Sequence, residues 1–286
     1  MTSNKSAIFY AVLAAALYAL NAPISKLLLM QIPSTTMAGL LYLGAGTGML
    51  LIEKMNKNRQ EQPLTKKELP FTVAMVILDI AAPICLMVGL TECSAANASL
   101  LNNFEIVATS LIAMFLFREI ISKRLWLAIV LVTISSILLS FEDASSLEFS
   151  WGSLFVLLAC ICWGFENNCT RMLSSKNPAQ IVIIKGFGSG LGALTLALIT
   201  GECFFHIGYI ILAMILGFVA YGLSIYFYIY AQRDLGAAKT STYYAVSPFI
   251  GAGLSLIIFR AQPSAVFIIA FAVMALGTYF ASTNAH

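Results

Sequence analysis

Long apolar stretches separated by short polar links recur along the 286 residues and set the architecture before any single residue does. Ten can be marked, at about 6–29, 34–53, 70–91, 97–117, 123–141, 151–173, 179–200, 205–230, 239–259 and 263–283. Each is near the roughly 20 residues a helix needs to cross a hydrocarbon core about 30 Å thick. Turn and breaker residues punctuate the links, as in Gln31-Ile32-Pro33-Ser34, Asn177-Pro178 and Ala261-Gln262-Pro263. The longest polar link, about 54–69, leaves no room for a soluble catalytic domain. The pattern predicts an all-α integral membrane protein of ten transmembrane helices. The first stretch runs past Asn21 and Lys26 with no small-residue cleavage site, so it reads as a retained helix rather than a leader.

The stretches repeat. Tyr18-Ala19-Leu20-Asn21 in the first aligns with Trp163-Gly164-Phe165-Glu166 in the sixth at a shift of 145, and Lys26 falls on Arg171. Gly44, Gly46 and Gly48 in the second fall on Gly188, Gly190 and Gly192 in the seventh at a shift of 144. Ala95-Ala96 and Phe117-Arg118 around the fourth fall on Ala237-Ala238 and Phe259-Arg260 around the ninth at a shift of 142. The order and near-constant spacing predict two five-helix repeats, 1–145 and 146–286, joined in one transmembrane domain. Five is odd, so the second repeat enters from the opposite side and the two are inverted. Inverted repeats are a recurrent device for alternating access, with the substrate held near the bilayer midplane.

Composition and charge sharpen this picture. The chain is 60% hydrophobic and 10% charged, with a mean hydropathy of +0.89, whereas soluble domains run near a quarter charged. A net charge of +3 is too small to argue for nucleic acid. With the N-terminus cytoplasmic, twelve basic residues fall on the cytoplasmic side: Lys5, Lys54, Lys57, Arg59, Lys66, Lys67, Arg118, Lys123, Arg124, Lys176, Arg233 and Lys239. The opposite side then holds only Arg260, beside the acidic Glu142, Asp143 and Glu148. That bias predicts a multi-pass cell (inner) membrane protein with both termini cytoplasmic. The six cysteines, Cys85, Cys93, Cys160, Cys162, Cys169 and Cys203, show no metal spacing and read as small packing residues. No cofactor or metal is expected.

With the repeats aligned, the chain resembles the drug/metabolite transporter superfamily, EamA type, over nearly its whole length. The likeness is carried by Ser94-Ala95-Ala96-Asn97-Ala98-Ser99 and Phe117-Arg118-Glu119 around the fourth helix, and by Cys162-Trp163-Gly164 in the sixth. Leu235-Gly236-Ala237-Ala238 and Ser247-Pro248-Phe249 near the ninth add to it. The resemblance implies a ten-helix inner-membrane carrier, commonly an exporter of amino acids or related metabolites. Two positions depart from the family pattern: Ile106 stands where the fourth helix usually has a proline, and Ala261 where a glutamate would match Glu119.

Ionisable side chains cost roughly 2.5–3.5 kcal/mol each to insert, so those inside a span mark candidate sites. Asp79, Glu105, Glu166, Arg171 and Lys185 stand inside the expected spans, with Lys26 close enough to a helix end to snorkel. Glu166 lies in a polar stretch with Asn167 and Asn168, one turn from Trp163, and its repeat mate Asn21 has Tyr18 one turn before it. It binds a substrate ammonium or carries a proton, or it belongs to a structural network with Arg171 or an asparagine. Glu105 shares a helix face with Asn102 and marks substrate choice or proton coupling, or else ion-pairs with Lys185 or another basic residue. Asp79 precedes Pro83 by four residues and serves as a site wall, a gate, or a cap for the kink. Lys185 binds a substrate carboxylate, pairs with a glutamate, or snorkels. The glycines that follow it read as close helix packing. Tyr221 and Tyr244 lie deep enough to border a cavity, whereas Tyr228 and Tyr230 fit an interface belt.

The leading expectation is a secondary transporter that moves a small metabolite, an amino acid, amine or related compound, with protons as the candidate coupling ion. The bilayer and the small molecule are its expected partners. A channel-like or receptor-like membrane protein is the alternative. An enzyme is not expected, because H-E-x-x-H and G-x-S-x-G are both absent and the histidines are only His206 and His286.

Overall fold

A computed structural model describes residues 2–55, 62–118, 120–141, 150–173, 176–202, 204–235, 240 and 243–282. Lys57, Arg59, Glu119, Glu142, Asp143, Glu148, Cys203, Gly236, Ala237, Ala238, Lys239 and His286 lie outside these residues, as does the boundary expected at 145/146.

The described chain is helical along its apolar stretches. The first comprises α1 (Thr2–Ala19) and α2 (Asn21–Leu28), the second α3 (Ser34–Met55), and the third α4 (Leu69–Glu92) after a 3-10 turn at Lys66–Glu68. The fourth is divided into α5 (Ala95–Leu101) and α6 (Phe104–Phe117), and the fifth is α7 (Lys123–Leu139). The second set follows as α8 (Trp151–Leu173), α9 (Pro178–Ile199), then α10 (Ile207–Gly217) and α11 (Ser224–Leu235) joined by a π segment at Phe218–Leu223. It closes with α12 (Ser247–Phe259) and α13 (Ala265–Ser282). Among the described residues, eight segments are long and apolar enough to cross a membrane. Among the expected ten, α7 with 17 residues and α12 with 13 are shorter.

Two expected spans are interrupted, which hydropathy does not reveal. In the first, Leu20 closes a turn onto Leu17, where the helical bond to residue 16 would be. In the fourth, Asn103, Glu105 and Ile106 donate to Leu100, Asn102 and Asn103, three residues back instead of four. Short amide side chains weaken the helical ladder at such points. The ninth span carries a turn at 245–246 before α12 begins, close to the position that the repeat relates to the break in the fourth. Pro83, by contrast, lies within an unbroken α4.

The packing is that of two inverted halves. Mates α3 and α9 run antiparallel: Gly39 lies against Gly190 and Leu194, while Gly46 lies against Gly186. A Cβ on Gly186 would collide with the Gly46 backbone, so the glycines allow the two helix axes their close approach. Mates α7 and α13 are also antiparallel, with Gly277 beside Val132 and the Ser135 hydroxyl donating to the Ala270 carbonyl at 2.6 Å. The cross-pairs correspond as well. α4 meets α8 through Gly89 and Gly152, and α1 meets α11 through the Ser224 hydroxyl on the Ala14 carbonyl at 2.9 Å. Even a backbone detail repeats, because Arg118 (φ 54°) and Arg260 (φ 50°) end α6 and α12 in the left-handed conformation.

Each end of the α3–α9 pair is tied by acid and amide groups. The Glu202 carboxylate accepts from the Thr36 N–H at 3.0 Å and the Thr35 hydroxyl at 2.9 Å, at the start of α3. Asn177 caps α9 and donates to Glu53 at the end of α3 at 3.0 Å. Anionic groups suit helix N-termini because the first N–H groups there lack helical partners. Large apolar side chains such as Phe115, Ile134, Ile257 and Ile269 remain exposed, a periphery suited to lipid, while the core is dominated by alanine and leucine.

Candidate functional site

The interior charges converge. Lys185 on α9 places its Nζ 2.9 Å from Glu166 Oε1 on α8 and 3.1 Å from Asp79 Oδ2 on α4. All three side chains are buried, Asp79 completely. The Tyr42 hydroxyl on α3 donates to Asp79 Oδ1 at 2.9 Å. The Thr170 hydroxyl, one turn beyond Glu166 on the same face of α8, donates to Glu166 Oε1. The glycine seam explains why four helices can meet here: with Gly186 seated on Gly46, neighbouring Lys185 and Tyr42 reach the same carboxylate. Two carboxylates share a single ammonium, so the cluster carries excess negative charge when both acids are ionised.

Glu105 adds a third carboxylate close by. It is half-buried on α6 and accepts from Asn167 Nδ2 at 2.6 Å. The Asn167 amide also reaches the Thr109 hydroxyl at 3.3 Å, and Asn168 donates to the Thr109 and Gly164 carbonyls. These bonds tie α6, just past its break, to α8. Gly164 faces the Ala108 side chain and the Thr109 backbone, which brings the two helices close enough for the amides to span.

Beyond Tyr42 the site becomes neutral and aromatic. The Tyr42 ring lies 5.1 Å from that of Tyr221, which stands edge-on to Tyr18 at 5.8 Å. Tyr244 is 5.9 Å from Tyr18, and Tyr228 packs on Tyr244 at 5.0 Å. Asn21 Nδ2 donates to the Tyr221 hydroxyl at 2.8 Å, and the Ser25 hydroxyl donates to Asn21 Oδ1 at 3.1 Å. Trp163 is buried. Where the broken fourth and ninth spans face the first, a cavity of about 10 Å³ is lined by Tyr18, Asn21, Ser99, Asn102, Ser247 and Pro248. It has room for about one water. The buried Ser247 hydroxyl has no hydrogen-bond partner among the described residues.

The sequence-derived candidates are therefore largely brought together. Asp79, Glu166 and Lys185 form the charged cluster, Glu105 and Asn167 adjoin it, and Tyr18, Asn21, Tyr221 and Tyr244 form the aromatic side. Asn102 lines the cavity and is 3.9 Å from the Cys160 thiol. Several partnerships differ from expectation. Glu166 bonds Lys185 and Thr170, while Arg171 is exposed in the last turn of α8. Lys185 does not snorkel, and its ion-pair partners are Asp79 and Glu166 rather than Glu105. Lys26 caps α4, donating to the carbonyls of Leu90, Thr91 at 3.2 Å and Cys93 at 3.0 Å, a favourable place for a cation. Tyr228 packs against Tyr244, so it belongs to the aromatic cluster rather than only to an interface belt.

Tyr42 and Thr170 were missed. The signal for Tyr42 was its place on the face of α3 that carries Gly39 and Gly46, three and four residues away, because a glycine face looks into the bundle. Thr170 follows Glu166 by one turn. Among the described residues, no group of three or more His, Cys, Asp or Glu side chains is placed to hold a metal ion.

A duplicated helical bundle with a charged, aromatic-lined interior describes a membrane transporter. The EamA-like transporter family matches the chain twice, over residues 5–141 and 150–283, and the chain belongs to that family. A protein of Methanothermobacter thermautotrophicus described as an uncharacterized transporter is 24% identical over 287 residues, which span 93% of this chain and 83% of its own length. A solved structure described only as the crystal structure of a protein superposes with a TM-score of 0.72 at 16% identity. It covers 98% of this chain and 97% of its own, a likeness of fold.

Proposed function

We propose that the protein is a secondary carrier that moves a small metabolite bearing an amino or other cationic group across the cell (inner) membrane, with protons as the coupling ion. Alternating access arises from the two inverted halves, divided near residues 145 and 146, and both termini lie in the cytoplasm. Glu166, Asp79 and Glu105 receive the cationic group or the proton. Tyr18, Trp163, Tyr221 and Tyr244 cover apolar parts of the substrate, and Asn21, Asn102 and Asn167 hydrogen-bond to it.

One observation carries the reading: Asp79 and Glu166 share the ammonium of Lys185 in the bundle interior, and Glu105, held by the Asn167 amide, adds a third carboxylate beside them. Ionised carboxylates in excess of buried cations are costly in low dielectric, and a bound cation or proton relieves that cost. The aromatic rings beside them fit the apolar part of an amine.

Reconstituted protein in proteoliposomes tests the proposal with labelled amino acids and amines under an imposed pH gradient. Uptake should follow the gradient, and Glu166→Gln should lose most of it. Flux indifferent to pH removes the proton, and full-rate flux in Glu166→Gln removes the role given to that carboxylate.

A further inference from the structure

We propose that Lys185 is a tethered stand-in for the substrate: in the empty carrier its ammonium fills the amine subsite between Glu166 and Asp79, and a substrate ammonium enters by displacing it. The inference rests on the reading above that the cargo is cationic.

The geometry around Nζ is that of a bound primary ammonium. Two carboxylate oxygens from different helices stand at 2.9 and 3.1 Å, and the stem enters from a third helix. Neutral donors steady the same carboxylates, the Tyr42 hydroxyl on Asp79 Oδ1 and the Thr170 hydroxyl on Glu166 Oε1. Nζ occupies the space between the two carboxylates, which is the place a second ammonium would need in order to touch both. The cavity of about 10 Å³ on the Tyr18 and Asn21 side has room for about one water and is too small for an amine. A substrate amine must therefore take these oxygens in place of Nζ. Glu105, held by the neutral Asn167 amide, is the remaining acid towards which the released lysine can turn.

This arrangement gives the site a role when no cargo is bound. With Lys185 in place the two acids stay partnered, so the unloaded carrier can rearrange without stranding them in a low dielectric. The lysine also sets specificity. A cargo that offers no N–H donors cannot replace three ammonium donors, and a cargo amine must compete with a permanently attached one. Competition of this kind lowers apparent affinity by the fraction of time the subsite is free.

Removing the lysine side chain and returning the amine in solution tests the proposal. Lys185→Ala opens the stem channel, and n-propylammonium is the probe, with tetramethylammonium, which has no N–H donors, as control. Thermal unfolding of purified protein in detergent is the readout. Lys185→Ala should melt below the parent protein, and n-propylammonium should raise its melting temperature saturably while tetramethylammonium does not. Its apparent affinity should exceed that of the parent by about ten-fold or more. The triple variant Lys185→Ala/Asp79→Asn/Glu166→Gln should lose the response. No response in Lys185→Ala, an equal response with the acids neutralised, or equal affinity in the parent would each overturn the proposal. If Lys185→Ala cannot be purified, Lys185→Ala/Glu166→Gln keeps Asp79 as the acceptor and is judged by the same criteria. A response without amine flux in proteoliposomes overturns the carrier reading alone, whereas flux without a response overturns only the stand-in.

Discussion

The two halves place related side chains at related positions and solve them with different chemistry. Glu166 on α8 corresponds to Asn21 at the start of α2, and the shift of 142 found around the fourth and ninth helices carries Asp79 on α4 to Tyr221. On one side of the bundle, Glu166 and Asp79 are bridged by Lys185 at 2.9 and 3.1 Å. On the other, Asn21 bonds Tyr221 directly at 2.8 Å, and the mate of Lys185 is the apolar Leu41. Tyr42 connects the two, with its hydroxyl on Asp79 and its ring against Tyr221. The same helix-pair geometry thus accommodates an ionic bridge or a neutral hydrogen bond. The ionic version needs a third group to balance it, and the neutral one does not. Duplication supplies the scaffold, and divergence at a few interior positions makes one side the seat for charge.

The largest effect should come from removing the bridge. Lys185→Met leaves two buried carboxylates facing each other and should destabilise the fold by about 3–5 kcal/mol. Denaturant unfolding in mixed micelles measures this, and an unchanged midpoint would mean the acids are not held by the lysine. Carrying charge to the neutral side should cost nearly as much: Asn21→Asp places a carboxylate where the mate of Lys185 is Leu41, at about 2.5–3.5 kcal/mol. Should that variant be as stable as the parent, the distinction between the sides collapses. Tyr42→Phe removes the hydroxyl from Asp79 and should cost about 1.5–3 kcal/mol, the range for hydrogen bonds to charged groups. Tyr221→Phe removes a neutral acceptor from Asn21 and should cost least, about 1 kcal/mol. A reversed order of the two tyrosine variants would show that the charged side is the better solvated.

Much of this was legible in the chain. The shared glycines Gly44/Gly188, Gly46/Gly190 and Gly48/Gly192 announced the repeat: Gly46 and Gly190 lie where α3 meets α9, Gly44 and Gly48 face Met214 and Phe218, and Gly188 and Gly192 face Val76 and Ile80 on α4. Ionisable residues inside apolar spans announced the site, because such groups are expensive anywhere except among partners. Partner choice was not legible. Glu166 had Arg171 five residues away in sequence but bonds Lys185, because Arg171 falls at the exposed end of α8 while Gly186 brings α9 inward. The breaks at Leu20 and at Asn102-Asn103 were hidden for another reason: hydropathy sums over a window and does not register the loss of one or two backbone bonds.

By itself, then, the sequence determined the helical membrane class and the set of polar residues that must seek the interior, which follow from transfer energies within each segment, and the duplication, which follows from motifs recurring between segments at a near-constant shift. Only the tertiary structure decided which carboxylate the lysine bridges, that Tyr42 joins the ionic and neutral sides, and where the first and fourth spans break. Those outcomes depend on how closely helices far apart in the chain approach, and that is set by side-chain volume at the seams between them.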